Sequence, residues 1–505
     1  MTRPAGEIGA GLLPARAARP IAAGERIHVL GAAGAGASAA ALLAHHAGAQ
    51  VSGCDSGGPS PYSRAIESLG VMLDWRHSPE HLAPDATGRR PGRLAVTKAL
   101  TSVAPDHPEL VAARAAGVLL EPWQQVVADA AATQGARLVA VAGTHGKSTT
   151  SGWLLDLLLH DGRDPSAFVG ALLPRALTGA EPATARWGGG GLFVVEADEY
   201  AGNFDAYRPD VALLLNAEWD HPDVFADGRA VEAAFESWLR VAAADGRQPT
   251  VVANMDDDGV ARICRRLDDW PGTVVGVAFD EQRAAVVRGR LSSPPGEQQL
   301  IELERPDGAT LRLPVGLAGR HNAANALVLC AAAYVLGAED SALASSLAEF
   351  GGVGRRMELK GDVGGVIVLD DYGHHPTAIE RTLEAARQRY PGRRLWAVYE
   401  PLTFHRTAQM FERFADVLAA GADQVAIADI WPGRDQDTTV TSSIALAAAI
   451  NARGGAPAVA AGSVEATADH LATEVEPGDV VLVMGGGRSY VIADRLVELL
   501  DGGPR

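Results

Sequence analysis

The sequence is poor in cysteine and in positive charge, and both shortages narrow the classes of protein to which it can belong. Only three cysteines occur among 505 residues, Cys54, Cys264 and Cys330, and they are scattered. They fit reduced buried thiols better than disulfides or a zinc site. The formal net charge of −18 argues against wholesale binding of nucleic acid or anionic membranes. If such a chain binds phosphates, it must use backbone amides, a few basic side chains and metal ions.

Long apolar runs and a secretory leader are also missing. No apolar run approaches the roughly 18 residues of a membrane span, and Asp156 interrupts the leucine-rich stretch that begins at Trp153. Residues 1–25 are rich in Ala, Gly, Pro and Arg, which predicts a flexible extension. The sequence thus predicts a cytoplasmic protein without membrane insertion, for which an oligomer is possible.

Glycine and apolar side chains are abundant, with 57 Gly and 47% hydrophobic residues. Apolar runs alternate with helical patterns along the chain, which is typical of an α/β protein, and the length predicts two to four domains. We expect three α/β domains after the extension, over residues 26–135, 136–353 and 354–505. The first and third have a Rossmann-like alternation, and the second is of the P-loop ATPase type with a parallel sheet.

The first domain opens with a βαβ pattern that suits a phosphate-bearing ligand. A strand-like run, Ile27–Leu30, is followed by a glycine-rich turn, a helix and a second strand. The candidate ligand contacts at these turns are Gly34, Gly36, Ser38 and Asp55. Taken alone this pattern suggests nicotinamide binding, but the glycines read GxxGxG and not GxGxxG. A tight turn without a ligand is the other interpretation.

The most informative segment reads GTHGKST and follows the apolar run Leu138–Ala142. A strand, a glycine-rich turn, Lys-Ser and a helix are the parts of a nucleoside-triphosphate site. Val141 stands where the usual pattern has its first glycine, and a simple helix-capping turn is the alternative. The candidate ATP-binding residues are Gly143, Thr144, His145, Gly146, Lys147, Ser148 and Thr149.

Polar side chains follow two further strand-like runs. Glu196 comes after Leu192–Val195, and His221 comes after Val211–Leu215. Together with the Ser148 hydroxyl they can hold Mg²⁺ against a γ-phosphate. Each acidic residue by itself is more simply a solvated loop charge, but the coincidence with the phosphate loop favours a metal site.

Three later motifs also carry candidate chemistry. His321–Asn325 opens an Ala-rich helix, where Asn322 and Asn325 can cap the helix or contact a base edge. Arg355 and Arg356 offer two guanidinium groups, suited to a phosphoryl group or to a surface salt bridge. The string Asp370–Pro376 packs five polar groups after a strand, which is seldom structural alone.

Taken in order, these motifs resemble the Mur ligase family of ATP-dependent amide-forming enzymes, over roughly residues 27 to 500. His145 and the Asp370–Pro376 string resemble the muramate branch of the family, in which the first domain holds a UDP-sugar. This resemblance displaces the nicotinamide interpretation. The motifs that carry it are Gly143–Ser148, Glu196–Tyr200, Asp220–Pro222, His321–Asn325, Gly354–Arg356, Asp370–Pro376 and Arg406–Thr407, with Gly31–Ser38 and Val51–Asp55 in the first domain.

The resemblance implies an ADP-forming carboxylate–amine ligase that uses ATP and Mg²⁺ in peptidoglycan precursor synthesis. The implied reaction adds L-alanine to the lactyl carboxylate of UDP-N-acetylmuramate through an acyl phosphate. A Mur-like ligase with another acceptor or amine, in murein tripeptide recycling or specialised metabolism, is the alternative. An oxidoreductase and a non-catalytic binding module are rivals of other classes. Lys147, Ser148, Glu196 and His221 together argue against both.

The same resemblance implies a role for each motif residue. Lys147, Glu196, His221 and Arg356 would be catalytic, and Ser148, Glu196 and His221 would ligate the metal. The further ATP contacts would be His321, Asn322, Asn325 and Asp371, and the substrate contacts Gly34, Gly36, Ser38, Asp55, Tyr372, His374 and Arg406.

Several residues depart from the family pattern, among them Ala33 and the run Gly485–Ser489. Leu402 and Thr403 stand where a His and an Arg are usual, and Lys98 stands where a small serine is usual. The departures cluster on the substrate side and leave the ATP chemistry intact. They leave the amino acid and its acceptor open.

Overall fold

The computed structural model describes residues 8–292, 298–433, 435 and 437–502. Its strands form three sheets of five, ten and six strands, so the expected α/β class with three sheet-containing domains is confirmed. Contacts divide the chain into two compact units. The first unit contains the described residues of Met1–Arg290, Ile301–Leu313 and Ala324–Val353, and the second those of Leu291–Leu300, Pro314–Ala323 and Gly354–Arg505.

The five-stranded sheet has the order β3-β2-β1-β4-β5, and all its strand pairs are parallel. Its elements are β1 (Arg26–Leu30), α1 (Ala35–His46), β2 (Gln50–Cys54), α2 (Arg64–Ser68), β3 (Met72–Asp74), β4 (Arg93–Val96), α3 (Lys98–Val103), α4 (Pro108–Ala116), β5 (Leu119–Pro122) and α5 (Trp123–Gln134). The strand order reverses between β1 and β4, which is where open α/β sheets bind ligands. The predicted βαβ opening is confirmed.

The ten-stranded sheet contains the strand that feeds the phosphate loop. Its strands are β6 (Arg137–Ala142), β7 (Ser166–Leu173), β8 (Ala183–Arg186), β9 (Leu192–Ala197), β10 (Val211–Leu214), β11 (Thr250–Asn254), β12 (Thr273–Ala278), β13 (Val287–Ser292), β14 (Gln299–Glu304) and β15 (Thr310–Val315). The associated helices are α6 (Lys147–His160), α7 (Arg175–Thr178), α8 (Gly228–Ala242), α9 (Asp258–Arg266), α10 (Arg320–Leu336) and α11 (Asp340–Glu349).

Strand β6 lies between β9 and β10, and both pairs are parallel. Ala142, the last residue of β6, is in register with Ala197 of β9 and Leu214 of β10. The carboxyl ends of all three strands therefore meet at one edge of the sheet. This register places the three sequence motifs that follow these strands side by side.

Helix α6 packs as an almost fully buried helix behind the loop. Trp153 is buried, its ring stacks on Phe350 at 5.4 Å, and its Nε1 donates to the Ser346 carbonyl at 3.0 Å. Because one face of α6 lies on the sheet and another on α11, its sequence shows little amphipathic contrast. The packing fixes the direction of the helix axis and thus of its N-terminus.

The six-stranded sheet belongs to the second unit and has the order β16-β17-β21-β18-β19-β20. Its elements are β16 (Glu358–Val363), β17 (Val366–Asp371), α12 (Pro376–Arg389), β18 (Leu395–Glu400), α13 (Phe404–Gln409), α14 (Phe411–Gly421), β19 (Gln424–Ala428), α15 (Ser443–Asn451), β20 (Ala458–Gly462), α16 (Val464–Glu474), β21 (Val480–Gly485) and α17 (Ser489–Gly502). Strands β17, β18, β19 and β21 are mostly apolar and buried, in line with the Rossmann-like alternation expected for this part of the chain. The antiparallel edge strand β16 was not expected, because its residues are mostly polar.

The segment before β1 differs from the flexible extension expected for residues 1–25, of which residues 1–7 lie outside the described residues. The Arg16 guanidinium lies 3.0 Å from Glu121 Oε1 and 2.6 Å from Asp129 Oδ2, and both carboxylates are buried. Arg93, also buried, contacts the same two carboxylates. Two guanidinium groups thus balance two buried acids, a pairing that composition alone does not reveal. Ile21 is buried as well.

Among the residues that the structure describes, no helix combines the length and the apolar character that a bilayer crossing requires.

Candidate active site

The phosphate loop needs glycine at two positions. Gly143 has φ +144°, and a Cβ there would lie 3.0 Å from the Leu215 Cβ and 3.1 Å from the Asn216 amide nitrogen. Gly146 has φ +81°, and its Cβ would lie 2.9 Å from the Asn325 amide. Gly146 also contributes no side-chain cap to α6, and the N-terminus of such a helix suits an anion. The loop geometry fits a phosphate group.

Hydrogen bonds from the segment after β10 hold the loop in shape. The Thr144 hydroxyl donates to the Glu218 carbonyl at 3.0 Å and accepts from its amide at 2.9 Å. The His145 amide donates to Asn216 Oδ1 at 2.8 Å, and the Asn216 side chain donates back to the His145 carbonyl. His145 Nε2 lies 3.7 Å from Glu218 Oε2. Hydrogen bonds within the protein therefore hold Thr144 and His145 in place.

Lys147 joins the loop to the acidic end of β9. Its Nζ donates to Glu199 Oε2 at 2.9 Å and to the Gly143 carbonyl at 2.6 Å, and lies 3.8 Å from Asp198. Burial lowers the pKa of Lys147, but the carboxylates of Glu199, Asp198 and Glu196 outweigh that effect and raise it overall. The amine therefore remains a cation across the physiological pH range.

The acidic side chains divide into two small groups. Glu196 accepts from the Ser148 hydroxyl at 3.2 Å and from the Gly170 amide at 2.6 Å. Asp198, Glu199 and His221 place one ligand atom each within 4.8 Å of the others. The opposing charges of Lys147 and His221 lower the pKa of Asp198, although its burial acts in the other direction.

His221 has an unusual backbone. Its φ is +52°, its amide donates to Asp220 Oδ1 at 2.6 Å, and its ring lies 4.9 Å from that of Tyr200. The Tyr200 hydroxyl in turn donates to Asp223 at 3.2 Å. A non-glycine residue in the left-handed region is strained and persists where its surroundings hold it. These contacts fix the direction of the imidazole.

These groups fit a nucleoside triphosphate and Mg²⁺. The loop supplies the N-terminus of α6 and a buried cation, and the strand ends supply the hydroxyl and carboxylate oxygens that Mg²⁺ prefers. Ser148, Glu196 and His221 were the ligands expected from the sequence. The structure adds Asp198 and Glu199, for which the signal was their place in the same acidic run.

The candidate substrate residues of the first sheet are placed around the turn after β1. Asp55 accepts from the Ala33 amide at 3.1 Å and from the Gly57 amide at 2.8 Å, so it orders two turns. The Ser38 hydroxyl is buried and bonds the Ala35 carbonyl and Thr184 Oγ1.

The two glycines of this turn differ in their surroundings. A Cβ on Gly36 would overlap the Trp123 ring at 2.2 Å, whereas the nearest atom to a Cβ on Gly34 is the Gly31 carbonyl oxygen at 3.3 Å. Gly36 therefore provides room for an aromatic ring, while a contact of either glycine with substrate stays a prediction.

Lys98 ties the start of α3 to the loop after β9. Its Nζ donates to the carbonyls of Ala201 at 2.8 Å and Gly202 at 2.6 Å. Burial lowers the pKa of Lys98, against the charges of Asp205 and Asp198. This departure from the family pattern thus adds a contact to the loop that follows the acidic run.

Helix α10 carries the remaining central candidates. Asn325 lies against Gly146 of the phosphate loop. At the start of the helix, the Asn322 amide donates to the Ala318 carbonyl at 2.7 Å, and the His321 ring lies over Gly319. Asn325 therefore lies at the phosphate loop, while the Asn322 side chain bonds the backbone just before α10.

In the second unit, the end of β17 gathers arginine, tyrosine and aspartate. The Arg355 and Arg356 guanidinium carbons each lie 5.0 Å from the Tyr372 ring centre. Asp371 accepts from the Met357 amide at 2.9 Å and the Gly373 amide at 2.7 Å. Burial raises the pKa of Asp371, although the charge of Arg356 opposes this.

Arg355, one of the two arginines considered for a phosphoryl group from the sequence, bonds to groups of its own domain. It donates to Asp370 at 3.1 Å, to the Gly485 carbonyl at 2.8 Å and to Ser489 Oγ at 2.7 Å. These contacts link β17 to the end of β21 and the start of α17. Arg355 therefore helps to hold these three elements together.

The family departures Leu402 and Thr403 follow β18. Leu402 Cδ2 lies 2.8 Å from where a Cβ on Gly486 would be, and His374 Nδ1 lies 3.3 Å from the same point. Thr403 has φ +62°, and its amide donates to the Trp431 carbonyl. Arg406 on α13 is buried, with 6% of its surface exposed. The apolar side chain of Leu402 thus lies near His374. At position 402 the family pattern usually has a histidine.

Three Mur ligase domain models match most of the chain. The model of the Mur ligase family catalytic domain matches residues 26–134, that of the Mur ligase middle domain residues 141–333, and that of the Mur ligase glutamate ligase domain residues 355–487. A UDP-N-acetylmuramate–L-alanine ligase from Roseiflexus sp. is 35% identical over 494 residues, covering 94% of this chain and 98% of the relative. The corresponding ligase from Kineococcus radiotolerans is 36% identical, with coverages of 94% and 96%.

Solved structures show the same fold. The crystal structure of a UDP-N-acetylmuramate–alanine ligase from Thermotoga maritima has a TM-score of 0.75 at 23% identity, covering 94% of this chain and 98% of its own. A murein peptide ligase from Psychrobacter arcticus has a TM-score of 0.69 at 26% identity, with coverages of 95% and 100%. Because relatives above one third identity match along nearly their whole length, the chain belongs to the Mur ligase family.

Proposed function

We propose that the protein joins L-alanine to the lactyl carboxylate of UDP-N-acetylmuramate, with conversion of ATP to ADP and phosphate. The observation that carries the proposal is the arrangement around Lys147, a buried cation held between the phosphate loop and the carboxylates after β9. The names of the relatives from Roseiflexus and Kineococcus support the choice of substrates. The reaction belongs to peptidoglycan precursor synthesis, and we place it in the cytoplasm.

The chemistry that this site must support is phosphoryl transfer followed by amide formation. The substrate carboxylate attacks the γ-phosphorus of ATP, and the P–O bond to ADP breaks, which gives an acyl phosphate. The amine of L-alanine then attacks the acyl carbon and loses a proton, and inorganic phosphate leaves. Such a reaction depends mainly on positioning and on neutralising the charge of the phosphoryl oxygens.

The residues of the first unit are assigned to the phosphoryl end. Lys147 neutralises the transferring group, and the N-terminus of α6 binds the phosphates. Ser148, Glu196 and His221 are proposed to hold Mg²⁺, which supplies positive charge to the phosphate and carboxylate oxygens, and Asp198 and Glu199 extend this ligand set. Asn325, which lies against Gly146, is assigned to ATP.

The residues of the second unit are assigned by their chemistry. Arg356 and Asp371 are proposed to contact ATP, with Tyr372, His374 and Arg406 in the amino-acid site. His321 and Asn322 are assigned to the adenine side, and Gly34, Gly36, Ser38 and Asp55 to the UDP-sugar. We place domain boundaries near residues 135 and 353, which the limits of the family matches support.

The test is phosphate release with ATP, Mg²⁺, UDP-N-acetylmuramate and L-alanine, each omitted in turn. We expect release to need all four and the product to gain one alanine by mass spectrometry. A parallel reaction replaces L-alanine with a murein tripeptide. Release that is unchanged without the sugar nucleotide, or that occurs only with the tripeptide, contradicts the proposal.

A further inference from the structure

Four metal-ligating side chains meet inside the first sheet domain, away from the phosphate loop. His28 lies on β1, Cys54 ends β2, His81 lies in the short 3-10 turn Pro79–Leu82, and Glu109 lies in the first turn of α4. One donor atom from each lies within 4.8 Å of the other three. These four residues are called the His–Cys–Glu cluster below. They come from four elements, so the cluster does not arise from local sequence spacing.

The distances within the cluster resemble those of donors around one ion. Cys54 Sγ lies 3.4 Å from His28 Nε2 and 3.3 Å from both Glu109 carboxylate oxygens. Glu109 lies 3.8 Å from His28 and 3.0 Å from His81 Nδ1. Tetrahedral zinc with Zn–S of about 2.3 Å and Zn–N of about 2.0 Å separates its ligand atoms by about 3.3–3.5 Å. Small side-chain rotations therefore suffice to close the cluster around a cation.

Charge gives an independent argument. Glu109 is fully buried, and all its ion pairs among the described residues are with histidines. Its carboxylate also faces the Cys54 thiol, which is equally buried. A buried carboxylate without a permanent cation is costly, and a bound divalent ion removes that cost.

Each histidine of the cluster also has a polar contact at its second ring nitrogen. His81 Nε2 lies 3.0 Å from Asp74 Oδ2, and His28 Nδ1 lies 2.8 Å from Ser52 Oγ. Histidines that ligate metals usually give their second ring nitrogen to a carboxylate or another acceptor, which fixes the tautomer and directs the free nitrogen at the ion. Both histidines have this second contact.

We propose that the His–Cys–Glu cluster is a structural zinc site, with His28, Cys54, His81 and Glu109 as its four ligands. Thiolate and imidazole donors select zinc over the oxygen-binding Mg²⁺. Four protein ligands leave no open position, which is the pattern of a structural and not a catalytic site. The ion would join strands β1 and β2 to the 3-10 turn and to α4.

His77 lies between the His–Cys–Glu cluster and solvent. Its Nδ1 lies 3.4 Å from Cys54 Sγ and 3.8 Å from Glu109, and 26% of its side chain is exposed. It is the solvent-facing neighbour of a cluster whose other donors are largely buried. Zinc can pass from solvent to the ligands at this side.

Cobalt binding to the full chain tests the proposal, because a thiolate ligand to Co²⁺ produces a near-ultraviolet charge-transfer band. After chelator treatment and without nucleotide, we expect one such Co²⁺ per chain, displaced by Zn²⁺. Cys54→Ser is expected to abolish the band. Cys264→Ser, which removes a buried thiol elsewhere, is the matched control and is expected to keep it. The Asp198, Glu199 and His221 group has no sulfur and cannot produce this band.

A second variant leaves all four ligands in place. Asp74→Asn changes a partly exposed side chain behind His81 and is expected to weaken Zn²⁺ binding roughly 10- to 100-fold, measured by competition with a zinc chelator. Absence of the thiolate band in the unaltered protein overturns the proposal. A band that survives Cys54→Ser, or a zinc affinity that Asp74→Asn leaves unchanged, overturns this ligand set. Turnover is not a readout, so the result is independent of the proposed ligase reaction.

Discussion

The Nζ atom of Lys147 lies 2.9 Å from Oε2 of Glu199, and this contact joins the phosphate loop to the acidic end of β9. Glu199 is almost completely buried, with 1% of its surface exposed. The ammonium compensates a buried carboxylate, and in the proposed reaction it also supplies charge to a phosphate. Substitutions of Lys147 and Glu199 can separate the effect on stability from the effect on activity.

Lys147→Met is expected to abolish phosphate release, by at least about 10³-fold, because the cation at the transferring group is lost. It also leaves Glu199 buried without its partner, at a cost of roughly 3–5 kcal/mol in the free energy of unfolding. The double variant Lys147→Met/Glu199→Gln is expected to recover most of the stability and none of the activity. Calorimetry and phosphate release measure the two effects, and recovery of activity in the double variant would contradict the role of Lys147.

Glu196→Gln tests the assigned metal site. The amide keeps the size of the side chain but removes the negative charge beside the Ser148 hydroxyl. We expect the Mg²⁺ concentration for half-maximal phosphate release to rise by about 10-fold or more, because a carboxylate ligand is lost. Glu181→Gln, at an exposed residue paired with Arg175, is the control and is expected to leave this concentration unchanged. An unchanged Mg²⁺ dependence for Glu196→Gln would remove it from the ligand set.

Arg16→Gln tests the packing of the segment before β1. Loss of the guanidinium leaves Glu121 and Asp129 with one arginine, Arg93, between them. We expect the free energy of unfolding to fall by about 2–4 kcal/mol. Arg19→Gln removes a more exposed pair with Glu25 and is expected to cost less than about 1 kcal/mol. Equal losses in the two variants would mean that the Arg16 contacts are not formed in solution.

Glu400 predicts a pH dependence of stability in the second unit. Burial raises its pKa to about 7 from 4.5, and one of its oxygens, Oε2, has no hydrogen-bond partner among the described residues. The unfolded chain ionises first as pH rises, so the folded state is favoured below about pH 4.5 and loses that advantage between about pH 4.5 and 7.

Replacement by glutamine removes this titration. From pH 5 to pH 8, Glu400→Gln is expected to lose less stability than the unaltered protein, by at most about 3 kcal/mol. Urea unfolding at several pH values measures the difference. Glu384→Gln, at an exposed residue, is the control and is expected to follow the unaltered protein. Parallel curves for Glu400→Gln and the unaltered protein would contradict the raised pKa.

The sequence predicted the parts of the site that lie in contiguous segments. Gly143 to Ser148 could be recognised because a phosphate is bound by successive backbone amides, and strand–turn–helix is a local pattern. The acidic end of β9 could also be recognised, because its carboxylates lie in one short run directly after an apolar strand. The sequence did not predict which carboxylate of that run contacts Ser148 and which contacts Lys147. These contacts depend on the directions in which side chains point at the end of the strand.

The segment before β1 shows a different limit. Its composition predicts flexibility, and nothing in the run around Arg16 reveals a partner. The partners are Glu121 and Asp129, more than a hundred residues away along the chain. Composition counts residues, whereas an ion pair depends on where the fold places them.

The sequence by itself therefore determined the α/β class, the family and the phosphate loop, since each depends on short segments whose order along the chain is enough. Only the tertiary structure brought His28, Cys54, His81 and Glu109 together, and only it showed that Cys54 differs from the other two buried thiols. The physical reason is that a metal ion needs donors from several directions at once. In this domain, those directions come from separate strands, a turn and a helix.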